Sequence, residues 1–362
     1  MAQIIVAAGR LAKGRRRATP PVTCARTAPT RAAHAMPTIP VDPLSRFLAI
    51  AKALTVEKSW WEDRSIMRYA ALPLVTTAGD AKALAQQTVA AGRALAADAR
   101  WGSDLRTSLR NVLAAFVVAQ GGNPAAFAGA CARLRERFRK AGVRRGGGHE
   151  LVAAAMLHVC GAENDADVHR MQQIYETMKQ HHWWLTGPED LPACALLAVH
   201  ADNVAKMPKR IEAIYERLRE GGLAAGDGLQ MASHVLYLAR GDERTIADRF
   251  LRLHQGFKDR GIRMWDCDRD ELAILCLLDE DPALTTATVE KHRERIRQEL
   301  KHVGPTTGFS YACGTAFLTA LAGKPPGAAL LRDLTISNLA MATNAASLLA
   351  QQNAAAAASA AH

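Results

Sequence analysis

Long apolar runs, paired cysteines and aromatic side chains are all scarce in this chain of 362 residues. No apolar stretch reaches the roughly 18 residues that a membrane-spanning helix requires, so no transmembrane span is expected. Aromatic residues make up 5% of the sequence and sustained Val/Ile/Thr alternation is missing, which removes the pattern of a large sheet. The cysteines (Cys24, Cys131, Cys160, Cys194, Cys267, Cys276 and Cys313) form no CxxC pair. An odd, scattered set without an evident secretory signal fits reduced thiols in a cytoplasmic protein. No HExxH is present, and the Gly-rich stretch Arg144-Arg145-Gly146-Gly147-Gly148 lacks the GKS/T ending of a phosphate loop.

What is plentiful is alanine and leucine, within a hydrophobic fraction of 49%. Both residues favour helices, and that fraction suffices for a continuous core. The net charge of +11 is unevenly placed. Most of it comes from Arg10, Lys13, Arg15, Arg16, Arg17, Arg26 and Arg31, in a stretch that holds no acid before Asp42. The remainder is only mildly basic, which weakens an argument for nucleic acid from charge alone. Residues 1–43 read as a disordered basic tail. Three origins compete for it: a transit peptide, against which the lack of serine counts; a basic arm for an anionic partner; or translation from an upstream start, with Met36 the true first residue. Residues 44–322 are expected to form the ordered domain and 323–350 a C-terminal capping helix. Residues 351–362, rich in alanine, are expected to be a frayed tail.

A repeat organises the body of the chain. Trp61, Trp101, Val143, Trp183, Leu223 and Ile262 recur about every 40 residues, with Pro305 a weaker seventh anchor. Nine and five positions before the anchor lie apolar pairs: Leu134 and Phe138, Ile174 and Met178, Ile214 and Leu218, Leu253 and Phe257. A spacing of four puts each pair on one helix face. Gly142, Gly222 and Gly261 then suit the left-handed position that ends a helix. Asp190, Asp227 and Asp268 are natural caps for the next helix, and Asp268 with Glu271 has the spacing of a capping box. The second helices, such as Leu151–Val159 and Leu191–Val199, are apolar on most faces, as helices sandwiched between neighbours are. The expected fold is therefore all-α: an α-solenoid of about seven helical hairpins.

The string His182-Trp183-Trp184-Leu185-Thr186-Gly187 is followed by Asp190, Pro192 and Leu196-Leu197-Ala198. Forty residues on come Gly226-Asp227-Gly228-Leu229-Gln230 and Ser233-His234. These two motifs resemble the all-helical bacterial family of unknown function numbered four thousand and three. The likeness runs from about Ser45 to Leu321. It implies a helical fold and a bacterial source; it implies no activity. The chain also loosely resembles tetratricopeptide and pentatricopeptide repeats, although its period is longer and the tetratricopeptide signature is missing.

Candidate chemistry is sparse. Asp227, Gln230, Ser233 and His234 share one helix start, and Gln230 and His234 share a face that could line a polar groove. Adjacent residues on a helix diverge, so Ser233 and His234 make a poor nucleophile pair. The competing role for these four is capping and packing. His181 and His182, or His158, Cys160, Cys194, His200 and Cys276, supply metal-ligating types without ligand spacing; core packing accounts for them better. Trp183 and Trp184, with the other turn tryptophans, could grip a peptide or stack bases, or could staple neighbouring repeats. Arg144 and Arg145 stand beside helix N-terminal amides, where an anion could bind. No catalytic residue, cofactor or metal is expected. The leading expectation is a non-catalytic scaffold that binds a protein or peptide on a concave face. Single-stranded RNA binding is the alternative; the acids at helix starts (Glu189, Asp190, Asp227, Asp268, Asp270) argue against it. The third is an enzyme with a site near Asp227–His234.

Overall fold

Helix α1 (Pro43–Glu57) begins where Asp42 accepts the Ser45 amide at 2.9 Å and Pro43 takes a first-turn position. It opens the described part of a computed structural model, which covers residues 38–99, 103–181, 187–201, 203–324 and 327–360. All of these lie within one unit, 34–362. The helices that follow are α2 (Arg64–Tyr69), α3 (Ala71–Leu74), α4 (Ala81–Ala96), α5 (Leu109–Ala119), α6 (Pro124–Lys140), α7 (Gly147–Val159) and α8 (Asp165–His181). Then come α9 (Leu191–His200), α10 (Met207–Glu220), α11 (Asp227–Leu236), α12 (Glu243–Asp259), α13 (Arg269–Leu275), α14 (Pro282–Glu299), α15 (Pro305–Leu321) and α16 (Ala328–Ala360). No strand occurs among the described residues, so the fold is all-helical, as expected.

Consecutive helices pair into hairpins: α1 with α2 and α3, then α4 with α5, α6 with α7, and so on to α14 with α15. The first helix of each hairpin forms an outer layer, in which α4 packs on α1 and α6, α6 on α8, α10 on α12, and α12 on α14. The second helices form an inner layer, running through α3, α5, α7, α9, α11, α13 and α15. The apolar pairs read from the sequence face inward from the outer layer: Leu134, Phe138, Ile174, Met178, Ile214, Leu218, Leu253 and Phe257 are all buried. The inner helices are buried on nearly every side, as the whole run Leu151–Leu157 shows.

The turn between the two helices of a hairpin follows from one glycine. Gly142, Gly222 and Gly261 have φ of 81°, 90° and 67°. The next amide reaches back to a carbonyl five residues earlier: Val143 to Phe138, Leu223 to Leu218, Ile262 to Phe257. This is the Schellman arrangement, and it folds the buried anchor residue over the end of its own helix. A Cβ on Gly222 would meet nothing within 4 Å, so its substitution carries a conformational penalty alone. Gly222→Ala is expected to cost about 1 kcal/mol, read as a lower urea midpoint with unchanged slope. An unchanged midpoint would rule out the left-handed turn.

Two features depart from the sequence expectation. First, the array closes on itself. Helix α1 packs against α14 and α15, and α3 against α15. Tyr311 of α15 stacks near Phe47 and Tyr69 and donates to the Ser65 carbonyl at 2.6 Å. Lys52 pairs with Glu299 at 2.7 Å, and the buried Arg68 donates to the Lys301 carbonyl at 2.8 Å. An open solenoid would leave these faces to solvent. Second, the last helix does not cap one end of the array. Helix α16 packs against the inner helices α3, α5, α7, α9, α13 and α15, and against α2. It occupies the space that the concave face of an open array would offer to a partner. It also continues through the alanine-rich segment expected to be frayed, as far as Ala360. Almost all the described side chains beyond Leu349 are exposed.

Polar contacts fix the direction of α16. Near its start, Arg332 donates to the carbonyl of Leu238, just past the end of α11. Farther along, Asn344 donates to Glu271 in the first turn of α13, and Ser347 meets His149 in the first turn of α7. The helix therefore runs antiparallel to the inner layer, and its exposed end emerges among the N-termini of the inner helices.

Candidate functional site: the rim at the inner-helix N-termini

Outer and inner helices begin differently. Outer helices α4, α6, α8, α12 and α14 start on the side chains of Asp80, Asn123, Asn164, Asp242 and Asp281, which accept first-turn amides. Inner helices α5, α7, α9, α11, α13 and α15 have no such forward cap. Their N-termini, the positive ends of the helix dipoles, collect on one rim, and acidic side chains gather there.

Around α2 to α7 these acids are paired. Buried Glu62 accepts from Asn111 at 2.6 Å, the Ser59 amide at 2.7 Å and Arg110 at 3.1 Å. Buried Glu150 takes a forked contact from Arg135, at 2.9 and 3.4 Å, and Arg135 also lies 3.9 Å from Asp104. Burial still pushes the Asp104 carboxyl up, with Arg135 opposing.

Around α9 to α13 the compensation is thinner. Asp190 is buried and, among the described residues, accepts the Gly187 amide at 2.9 Å. Burial, with the charges of Glu189 and Asp227 adding to it, pushes its carboxyl up to about 7. The exposed Asp227 is likewise pushed up, by desolvation and by Glu189 and Asp266. Asp266 bonds the Gly228 amide at 2.9 Å and pairs with Arg269 at 2.6 Å, tying the start of α11 to the turn before α13. Buried Asp268 accepts the Trp265 amide at 2.7 Å, and burial raises it to about 6. Asp190 and Asp268 thus reach backward to the residue before a short 3-10 turn, not forward into the next helix. Glu189, Asp190, Asp227 and Asp266 form a continuous acidic arc across three successive inner helices.

Beneath the arc lies a buried polar group at α16. Glu271 accepts from Asn344 at 2.7 Å and stands near Ser310 and Tyr69. Burial, with Asp270 beside it, holds the Glu271 carboxyl well above its ordinary range. A buried carboxyl shifted by a second acid beside it is the kind of group that also occurs at functional sites. The clefts of about 490 and 450 Å³ on this protein are lined by other residues, however, and include neither Glu271 nor Asp190.

The described tryptophans, Trp60, Trp61 and Trp265, stand on the same rim. Trp60 is 92% exposed, and Trp61 and Trp265 are 41% exposed. Arg110 lies over Trp61 at 4.8 Å, and Arg263 over Trp265 at 3.9 Å. This is unlike the fully packed anchors Val143, Leu223 and Ile262, so the described tryptophans offer surface. Trp101, Trp183 and Trp184 lie outside the described residues.

Of the other residues singled out from the sequence, Asp190 and Asp227 belong to the arc. Gln230, Ser233 and His234 are buried in α11. Ser233 donates to the Leu229 carbonyl at 2.8 Å, and His234, 2% exposed, lines a small cleft with Thr177, Met178, Met207, Pro208, Ile211 and Glu212. The structure does not bring them to one accessible site with Asp227. Arg144 and Arg145 are exposed in the loop before α7. His158 pairs with Glu163 at 2.8 Å, and Cys194 packs against Met178. Among the described residues no three His, Cys, Asp or Glu side chains converge as a metal site, and no cysteine is in a disulfide. Sequence reasoning missed Glu62, Asp104, Glu150, Asp266 and Asn344, and read Glu271 only as a capping partner of Asp268. The available signal was an acid recurring within a few residues of the start of α5, α7, α9, α11 and α13.

A family model described as a protein of unknown function (DUF4003) matches residues 100–321. The chain is also similar to the uncharacterised protein YeaA of Bacillus subtilis, at 25% identity over 117 residues. That match covers 32% of this chain and 35% of the relative, so it spans about a third of each protein. No solved structure matches the chain.

Proposed function

Because the chain belongs to the DUF4003 family, whose description assigns no activity, we infer its function from the rim: it is a non-catalytic binding protein whose partner is a cationic segment of another protein. We read the hairpins as a helical repeat closed into a ring, with the partner surface on the rim and not on a concave face. The observation that carries this reading is the acidic arc. Desolvation, with the charges of Glu189 and Asp266 adding to it, raises Asp227, and Lys or Arg side chains of a partner relieve the repulsive part. The exposed face of Trp265, beside the arc, gives such a segment an aromatic contact. The same arc disfavours single-stranded RNA, whose phosphates it would repel. Deep packing of His234 favours a structural role for it over catalysis. The described cysteines, none of them in a disulfide, fit a reducing compartment such as the cytoplasm.

The test is tryptophan fluorescence of the full chain titrated with a Lys/Arg-rich peptide and with its Glu-substituted counterpart. Binding of the basic peptide alone is expected, weakening as salt rises. Glu189→Gln with Asp227→Asn is expected to weaken it by about tenfold, roughly 1.4 kcal/mol. Equal binding of both peptides, or no loss in the double variant, would sink this reading.

A further inference from the structure

A second charged feature has the opposite sign. Between α12 and α14 opens a cleft of about 490 Å³, lined by Arg260, Ile262, Ala287, Glu290, Lys291, Arg293, Glu294 and Arg297. A smaller cleft of about 110 Å³ adjoins it, shares Arg293 and Arg297, and reaches Val303, Gly304, Pro305 and Gly308 at the start of α15. Its carboxylates are engaged. Glu290 is bound by Arg260 at 2.6 Å, and Glu294 accepts from Gln298 at 2.9 Å. Three cations are not. Lys291, Arg293 and Arg297 have no carboxylate within salt-bridge distance among the described residues; Asp268 is the acid whose field reaches Arg293. Arg293 and Arg297 are four apart and so share one face of α14. Unpaired guanidinium groups held together in a concave site focus positive potential and offer planar donors matched to phosphate oxygens.

We propose that this cleft is a binding site for the phosphate group of a small organic phosphate, gripped by Arg293 and Arg297 with Lys291 at its mouth. The main cleft has the size of a small-molecule site. A phosphodiester polymer fits less well, because any strand continuing along the rim beyond Trp265 would meet Asp266, Asp227 and Glu189. Positive potential at the start of α15 adds to that of the arginines on the side of the smaller cleft. The site is distinct from the peptide surface, because Glu189, Asp227 and Asp266 line neither cleft.

The experiment is calorimetric titration of the full chain with pyrophosphate, with a single-stranded oligonucleotide as competitor. Pyrophosphate binding is expected to weaken by at least about tenfold in Arg293→Gln with Arg297→Gln, and severalfold in Lys291→Gln. It should stay within about twofold in Arg144→Gln with Arg145→Gln, a control for general charge, and in Glu189→Gln with Asp227→Asn. Circular dichroism confirms that each variant is folded, and Lys291→Gln, which removes an exposed side chain, keeps the test valid if the arginine pair proves necessary for folding. Equal losses at both arginine pairs would overturn the proposal. So would the lack of any Arg293-dependent binding, or displacement of pyrophosphate by the oligonucleotide at lower concentration than by inorganic phosphate.

Discussion

A chain ended at Gly327 is expected to lose the folded ring, while a chain ended at Ala350 keeps it. Removing α16 takes Leu330, Leu334, Ile336, Leu339 and Met341 out of the interior, all of them buried against inner helices. At about 1.5–3 kcal/mol for each large apolar side chain, their burial is worth on the order of 10 kcal/mol. That equals the whole stability of an ordinary domain. The loss has a polar part too, since Glu271 would forfeit its bond from Asn344 while the surrounding inner helices lost their packing. The shorter deletion removes only exposed turns, and its effect is expected to stay within about 0.5 kcal/mol. Far-UV circular dichroism and urea titration distinguish the outcomes. A cooperative unfolding transition in the chain ended at Gly327 would show that the ring stands without its central helix, and would reopen the concave face as a binding surface.

The dependence on α16 also shows where the sequence was legible. Each hairpin is a local object, encoded by an apolar pair, a glycine and an anchor within about 15 residues, as Phe138, Gly142 and Val143 illustrate. That information survives in a linear reading. Closure is different, because it rests on residues far apart in the chain: Tyr311 against Phe47, Lys52 with Glu299, Arg68 with the carbonyl of Lys301. A local pattern sets how neighbouring hairpins pack, but whether the last is brought against the first depends on small rotations summed over all of them. The place of α16 was hidden for a related reason. Its small apolar residues, Ala340, Ala342, Ala345 and Ala346, look like a mild helix suited to an end cap, yet the same smallness lets a helix fit inside a crowded ring. The site was half legible. Acids at helix starts were visible as caps, but capping and mutual repulsion call for the same residue type at the same place. Only the structure shows that Asp227 faces Glu189 and Asp266.

Asp190→Asn is expected to stabilise the protein at neutral pH and to leave it nearly unchanged at pH 4. Burial raises this carboxyl to about 7 from an ordinary value near 3.8, with Glu189 and Asp227 adding to the rise and the Gly187 amide opposing it. Between those values the folded protein holds a proton that the unfolded chain has released. Stability tied to Asp190 is therefore fully present below about pH 4 and is lost as pH rises through about 7. A rise of about three pH units corresponds to roughly 4 kcal/mol at most. Asparagine removes the titration while keeping an oxygen for the Gly187 amide, so the variant is expected to gain about 2–4 kcal/mol at pH 8. His292 slopes the other way. Burial lowers it to about 4, so its contribution is present above its ordinary value of 6.5 and fades as pH falls toward 4. It is common to both chains and cancels in their difference. Urea midpoints of wild type and variant at pH 4, 6 and 8 make the comparison; a difference that stays flat across this range would mean that Asp190 is ionised and well partnered in the folded state. The same carboxyl links stability to binding. A cationic partner on the arc lowers the Asp190 carboxyl toward its ordinary value and releases its proton, so partner affinity should rise with pH up to about 7 in the wild type, and the component of that rise due to Asp190 should vanish in Asp190→Asn.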